Sequence, residues 1–414
     1  MTGAAVLDDL GKVVDDRVRP AGDEDAIEGV RPSYCATPSS TEETAELLRV
    51  AAQHSLHVVA RGAGTKQHWG KPPLRVDLVV DLTGVAGVVE HAAGDLITIV
   101  RAGTAVTDLQ ATLAENDQQL ALDARFAAAT VGGTVATNTS GPRRVLYGTL
   151  RDLLIGITFV RADGVVAKAG GRVVKNVAGY DFAKLLTGSY GTLGVITEVA
   201  LRCHPLPRTR RVASIEVPDG EVAADLARRV LCSQIVPSAV EVTQPATGPA
   251  SVGVLLEGVE AGVGARAEVA RELLGVTSQI GDLPGSFDSY PFGPGDVGLK
   301  ISTTLSGVGP VLKSARGVGD RHGVPVSVGG SAAGVLYAGM PADSDPAVVE
   351  RVLAELRAIA GAYDGTVVVL TAPAATRRAL DMWGPIRGLD LMRRLKDQLD
   401  PEHRLSPGRF VGGI

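Results

Sequence analysis

The stretch Arg172 to Glu198, RVVKNVAGYDFAKLLTGSYGTLGVITE, reads as a loop, a short helix, a glycine-broken turn and a strand. Tyr180 and Asp181 open the helical piece, and Leu185 and Leu186 give it an apolar side. Gly188, Gly191 and Gly194 then interrupt the chain before Val195 to Val199 resumes in β-type residues. Glycine lets backbone lie against a flat or anionic group, because it has no Cβ and accepts φ > 0. Two readings stand on this stretch alone: a backbone wall against a ligand, or tight turns joining a helix to a core strand.

Working outward, Ser40 with Glu43 forms a capping-box pattern ahead of Ala45, Leu48 and Ala52, which repeat at helical spacing. The strand Leu56 to Ala60 follows and runs into Arg61-Gly62-Ala63-Gly64-Thr65-Lys66. Exposed N–H groups in such a turn make a concave anion site, to which Thr65 adds a hydroxyl and Lys66 a positive charge. The loop lacks the third glycine and following helix of a dinucleotide fingerprint, and its spacing excludes a Walker A loop. An ordinary surface turn is the other reading. DLVVDL, VAGVVEH and LITIVRAG, between Val76 and Gly103, read as strands, and Asp108 to Glu115 as a helix. The run Thr130 to Gly141 holds only small residues, so a planar ligand fits against its backbone with Thr and Asn side chains turned to ring heteroatoms. A helix start packed on a neighbouring helix explains it equally well. Asp152 to Val160 and Val165 to Ala169 form a hairpin around Asp163-Gly164.

Taken together, Arg61 to Lys66, Thr130 to Gly141, Tyr147 to Asp152 and Val173 to Glu198 resemble the FAD-binding domain of the vanillyl-alcohol-oxidase and p-cresol-methylhydroxylase (PCMH) superfamily. Within it the block VVKNVAGYD…LLTGSYGTLGVITE is similar to the FAD-binding subunit of bacterial glycolate oxidase, a glycolate dehydrogenase. The resemblance covers residues 28 to 207 and Leu391 to Phe410. It implies an α+β fold: an N-terminal extension (1–27), a PCMH-type FAD-binding domain (28–207), an α+β cap (208–375) and a segment returning to the FAD domain (376–414). It implies that Arg61, Gly62, Ala63, Gly64, Thr65 and Lys66 cradle the FAD pyrophosphate. Thr130, Gly132, Gly133, Ala136, Thr137, Asn138 and Gly141 would lie along the flavin and ribityl chain, and Gly191, Gly194, Val195 and Ile196 at the adenine end. Asp152 is placed nearby, and Lys175 and Arg409 as charges near the isoalloxazine. Thr65 stands where some members carry a flavin-linked histidine, so the FAD is expected to be non-covalent. Ser406 replaces the usual Asn in the tail.

Composition narrows the class. A chain of 414 residues exceeds one ordinary core, and with 45% hydrophobic but only 4% aromatic residues that core is built from Ala, Val and Leu. A net charge of -5 gives no footprint for nucleic acid or an anionic membrane. Cys35, Cys203 and Cys232 are odd in number and widely spaced, which fits a reducing compartment rather than a disulfide framework. No apolar run approaches a transmembrane span, and a cytoplasmic protein is expected, held at most to the inner face of a membrane through partner subunits. Beyond Pro207 the order strand, helix, two strands, helix occurs twice, around the loop Gly281 to Gly298, and predicts a ferredoxin-like cap with an antiparallel sheet.

Oxidising a 2-hydroxy acid requires a base, a cation for the carboxylate and a hydride acceptor. No closely spaced histidine pair for a metal site appears in the cap, where His322 stands alone. His54, His57 and His204 read as structural, and Arg143 and Arg144 as a carboxylate or partner site or a solvated turn. The catalytic residues stay unassigned and no metal is expected. The resulting expectation is an FAD-bearing subunit of a glycolate or D-lactate dehydrogenase complex. It works beside a homologous catalytic FAD subunit and an iron–sulfur subunit, since this chain lacks a cysteine cluster of its own. A self-sufficient FAD-dependent 2-hydroxy-acid dehydrogenase and a structural FAD-bearing scaffold are the alternatives.

Overall fold

The run DLVVDL has side chains that alternate across a sheet: Leu78 and Val80 are buried on one face and Val79 on the other. In the computed structural model, which describes residues 3–123, 125–171, 179–285 and 287–414, the strand Leu78–Asp81 is interior to a four-stranded sheet. Tyr34–Ala36 and Val58–Arg61 flank it in parallel, and Val18–Pro20 adds an antiparallel edge. The helices Gly3–Val14 and Thr41–Gln53 pack Leu10, Val14, Leu47 and Leu48 against one face. Ser40 Oγ caps the second helix by accepting from Glu43 N at 3.1 Å. The Glu43 carboxylate reaches past the cap to Ser39 N at 2.7 Å and pairs with Arg17, which with Ser39 holds its pKa down to about 2. The two strands missed in the sequence, Val18–Pro20 and Tyr34–Ala36, are three residues each and too short to show alternation.

A second sheet is antiparallel throughout, in the order Val88–Ala92, Ile97–Arg101, Val195–Arg202, Leu154–Val160, Val166–Gly170. The turn between its last two strands uses Asp163 to accept Val165 N and Gly164 at φ +77, as a tight hairpin requires. The helices Val106–Ala114, Val131–Thr137 and Phe182–Leu186 contribute Leu109, Val135 and Leu186 to its core. Asp181 caps the last of these through Lys184 N. Arg172 to Ala178 of the opening stretch, including Lys175, lies outside the described residues.

These elements form one compact unit, Met1–Ser140, Thr149–Leu206 and Ile386–Ile414. Its C-terminal part is fastened by a pair the sequence analysis passed over. Lys396, fully buried on the helix Leu389–Leu399, donates to Asp400 Oδ2 at 2.6 Å, Thr192 O at 2.7 Å and Leu405 O at 3.0 Å. Asp400 in turn accepts from Arg404 N and Leu405 N. The tail so fixed exchanges backbone hydrogen bonds with Val58 through Arg404 O and Ser406 N, both at 2.8 Å.

The other unit comprises Gly141–Gly148 and Pro207–Pro385. Its eight-stranded sheet is antiparallel, and its two halves join where Ala239–Gln244 pairs with Ser327–Ser331. Each half follows the strand, helix, strand, strand, helix order: Thr209–Val217, Gly220–Leu231, Ala239–Gln244, Ala250–Gly258 and Glu260–Leu274, then Val297–Ser302, Val308–His322, Ser327–Ser331, Val335–Met340 and Pro346–Gly361. The helices bury the Val- and Ala-rich side of the sheet, while Val212, Ala239 and Leu255 lie on the opposite side under Phe287. The segment Gly141–Gly148 is tied to this unit by Glu257. Its carboxylate accepts from Arg210 Nε at 2.8 Å and Tyr147 Oη at 3.2 Å, and lies 3.7 Å from Arg143 Nη1.

Candidate functional site

Four segments of the first unit converge on a cavity: the strand end and loop from Val59 to Gln67, the helix start at Thr130, the turn Tyr190 to Ile196, and Arg409. Arg61 anchors the loop, since its guanidinium bridges Asp25 at 3.0 Å and Asp81 at 2.9 Å. Gly62 is required by packing, because a Cβ there would overlap Thr130 Oγ1. Gly64 adopts φ +72, which leaves the loop free to curl. The N–H groups of Ala63, Gly64 and Thr65 donate to no backbone acceptor among the described residues.

Lys66 is the unusual group. It is only 7% exposed, and its ammonium has the Thr65 hydroxyl at 3.3 Å and the Phe126 ring centroid at 5.0 Å as neighbours. Among the described residues no carboxylate pairs with it, and burial alone pushes its pKa down to about 8. A buried cation without a counter-ion, beside unused N–H donors, makes this corner receptive to an anion.

Opposite the loop, the helix Val131–Thr137 is pinned by Val131 N to Thr104 O at 2.9 Å and Gly132 N to Ala102 O at 2.8 Å. A Cβ on Gly132 would come within 2.6 Å of Ala102 Cβ, so this glycine also serves close approach. The hydroxyls here act differently from the sequence expectation: Thr134 and Thr137 donate to Thr130 O and Gly133 O within their own helix, each at 2.8 Å. Asn138 closes the helix at φ 48, with its Oδ1 buried and without a partner in the described residues. The turn from Gly188 to Gly191 docks on this helix through Gly188 N to Val135 O at 3.0 Å and Tyr190 N to Ala136 O at 2.9 Å. Gly191 sits at φ +72 facing Ser406 Oγ.

The loop residues Arg61, Gly62, Ala63, Gly64, Thr65 and Lys66 therefore share one cavity with Thr130, Gly132, Gly133, Ala136, Thr137, Gly191, Gly194, Ile196 and Arg409. Four residues singled out in the sequence lie elsewhere. Asn138 is the helix cap just described, and Val195 is a core residue paired with Val160. Asp152 caps the helix Leu150–Leu153 by accepting from Thr149 N and Oγ1. Gly141 belongs to the second unit. Arg409, 3% exposed, donates to Gln67 O at 2.7 Å and Trp69 O at 3.0 Å, and so clamps the chain just after Lys66. Sequence reasoning missed Phe126 and Tyr190. Tyr190 lines the cavity and packs on Phe410 with ring centroids 5.5 Å apart. Of the histidines set aside as structural, His54 sits against Asp9 at 2.9 Å and His57 against Asp77 at 3.0 Å, and the lone cap histidine His322 sits against Glu355 at 2.6 Å.

Comparison with known proteins gives this cavity its context. Residues 32–170 match the FAD binding domain family, and residues 379–410 the C-terminal domain of FAD linked oxidases. The chain thus carries an FAD binding domain and the C-terminal domain of FAD linked oxidases. An uncharacterised FAD-linked oxidoreductase of Mycobacterium tuberculosis (strain ATCC 25618 / H37Rv) is 26% identical to this flavoprotein, covering 92% of this chain and 91% of its own length. Over shorter spans the oxidoreductase is similar to a D-lactate dehydrogenase of Archaeoglobus fulgidus, at 31% identity over 54% of this chain and 53% of that one. It is also similar to the glycolate oxidase subunit GlcE of Escherichia coli, at 34% over 43% and 52%. The solved structure of p-cresol methylhydroxylase superposes with a TM-score of 0.75 at 15% identity, covering 98% of this chain and 96% of that one, and shares its fold. Among the described residues no helix is long and apolar enough to cross a membrane, and no group of three or more His, Cys, Asp or Glu is placed to hold a metal ion.

Proposed function

We propose that this flavoprotein oxidises a small 2-hydroxy acid, glycolate or D-lactate, as the FAD-bearing subunit of a multi-subunit dehydrogenase. The observation that carries the cofactor placement is Lys66, a buried ammonium lacking an acid partner at the edge of a glycine-lined cavity. The FAD diphosphate supplies the missing anion, held by Lys66 and the N–H groups of Ala63, Gly64 and Thr65. Arg61 and Arg409 act indirectly, by fixing the loop from both ends. Gly132, Gly133, Ala136 and Thr137 present a small-residue surface to the flavin and ribityl chain, and Gly191, Gly194 and Ile196 line the side assigned to the adenine end. Asn138, the left-handed cap of the helix Val131–Thr137, would fix the end of that small-residue surface. Gly141, Asp152 and Val195 support the surrounding backbone. Bound FAD supplies the hydride acceptor for alcohol oxidation. Thr65 stands where some members of the superfamily it resembles carry a flavin-linked histidine, so the cofactor is held non-covalently.

The substrate class and the complex are supported by likeness to a glycolate oxidase subunit and a D-lactate dehydrogenase. Electrons leave through partners, a homologous catalytic flavoprotein subunit and an iron–sulfur subunit. The test is affinity purification of the chain from its native host, followed by anaerobic addition of glycolate or D-lactate. Co-purification of such subunits, with substrate-dependent flavin reduction in the assembly, is the expected result. Rapid reduction of the isolated chain would replace the complex by a self-sufficient dehydrogenase, and a flavin that stays oxidised in a turning-over complex would make the chain a scaffold.

A further inference from the structure

The chain leaves the first unit after Ser140 and returns at Thr149, and the residues between, Gly141–Gly148, pack as part of the second unit. This excursion comes just after the helix Val131–Thr137, whose Gly132, Gly133, Ala136 and Thr137 line the cavity assigned to FAD. Its neck is closed by hydrogen bonds within the first unit. Ser140 Oγ accepts from Leu150 N at 2.9 Å, and Thr149 donates through N and Oγ1 to Asp152 at 2.8 and 2.7 Å. On the side of the cavity, Thr139 Oγ1 lies 2.8 Å from Thr137 Oγ1, which itself donates to Gly133 O at 2.8 Å. The neck and the cavity helix are therefore one bonded piece.

The far end of the excursion is held by one acid of the second unit. The Glu257 carboxylate is 1% exposed, accepts from Tyr147 Oη at 3.2 Å and lies 3.7 Å from Arg143 Nη1. Arg210, directly across from Glu257 on the neighbouring strand, donates Nε to the same carboxylate at 2.8 Å. Between the two ends Arg144 Nε donates to Gly141 O at 2.8 Å, and the helix Arg144–Tyr147 stiffens the rest. Burial, and after it the Glu257 charge, pushes the Tyr147 phenol up to about 12, so Tyr147 stays a protonated donor at neutral pH. Arg143 and Arg144, open to several readings in the sequence, thus serve the excursion itself. A hydrogen bond to a buried charge is costly to break, so Gly141–Gly148 stays fixed at its far end while its neck is bonded to the cavity helix.

We propose that Glu257 is a positioning residue for the FAD site. Through Tyr147 it holds Gly141–Gly148, and through the neck it fixes the end of the helix on which the flavin lies, an inference that rests on the FAD placement above. Two events that stabilise one bonded element favour each other, and the coupling is reciprocal. FAD should tighten the hold on the excursion by the factor with which Glu257 tightens FAD.

The experiment titrates FAD into the flavin-stripped full-length protein by fluorescence quenching, for wild type, Tyr147→Phe, Glu257→Gln, the two combined, and Arg210→Met. Hydrogen exchange of the Gly141–Gly148 amides is followed on the same samples with and without FAD. Tyr147→Phe and Glu257→Gln are each expected to weaken FAD by about fivefold, and the combined change no more than Glu257→Gln alone. Arg210→Met disturbs the acid from its own sheet and spares the excursion, so it should lower the thermal midpoint yet change FAD affinity by less than about twofold. FAD should slow exchange of the Gly141–Gly148 amides in wild type and not in Tyr147→Phe or Glu257→Gln. Unchanged FAD affinity in both of these variants overturns the positioning role, as does an equal loss in Arg210→Met, which would confine Glu257 to the stability of its sheet. A wild type that takes up no FAD overturns the cofactor placement itself.

Discussion

Lys66 and Gly62 occupy adjacent stretches of one loop but impose opposite requirements. The Lys66 ammonium is disfavoured in the ligand-free fold, so Lys66→Met is expected to leave the apoprotein as stable or more stable while weakening FAD at least tenfold, as read by thermal melts and flavin titration. The pH dependence follows from the same shift. Because the folded pKa of about 8 lies below 10.5, the unfolded chain binds the extra proton between those values. Ligand-free stability relative to Lys66→Met should therefore rise with pH across that window, by roughly 3 kcal/mol at most, and FAD affinity should fall above about pH 8 as the ammonium is lost. A flat difference between the two proteins from pH 7 to 10 would show that Lys66 is not held in this way. Gly62→Ala places a methyl on Thr130 Oγ1 and should cost about 1–3 kcal/mol of stability even without cofactor, measurable by urea unfolding. The double change with Thr130→Ala should recover part of that loss, whereas recovery by FAD alone would mean the glycine serves the ligand rather than the packing.

The C-terminal helix Leu389–Leu399 depends on a pair that four-residue spacing places on one side of the helix end. Lys396→Met leaves Asp400 buried with an unmatched charge, and Asp400→Ala leaves Lys396 likewise; each is expected to cost about 3–5 kcal/mol in denaturant titration. The combined change Lys396→Met with Asp400→Leu should be milder than either alone, and equal additive losses would contradict the pairing. This element marks where sequence reading stopped. A lysine four residues before an aspartate looks like an ordinary exposed helix pair, and nothing in LKDQLD discloses that both are enclosed by the Thr192 turn and the tail. The three-residue strands were missed for want of length, while Thr41–Gln53 and the two strand–helix–strand–strand–helix repeats were legible because their apolar spacing extends over several turns. The three glycine segments were legible as a set; what escaped was the use of each glycine, since Gly62 and Gly132 accommodate the protein's own side chains.

Across the whole molecule, the cavity gathers strand-end, loop, helix-start, turn and tail residues separated by as much as 350 positions in sequence, from Val59 to Arg409. Order in the chain gave no sign of the clamp by which Arg409 holds Gln67 and Trp69, nor of the excursion of Gly141–Gly148 into the second unit through Glu257. Both depend on partners far away in sequence. Since FAD binds only the folded arrangement, saturating cofactor should raise stability by about 2.7 kcal/mol at one hundred times its Kd, and this increment should be lost first in Lys66→Met. The direct measurement of the central claim is flavin release on acid precipitation of the purified protein, with wild type and Lys66→Met compared at equal FAD. One FAD per chain freed into the supernatant from wild type, and a large fall in the variant, is the predicted result. Flavin that stays with the precipitated polypeptide, or equal loading of both proteins, would contradict it.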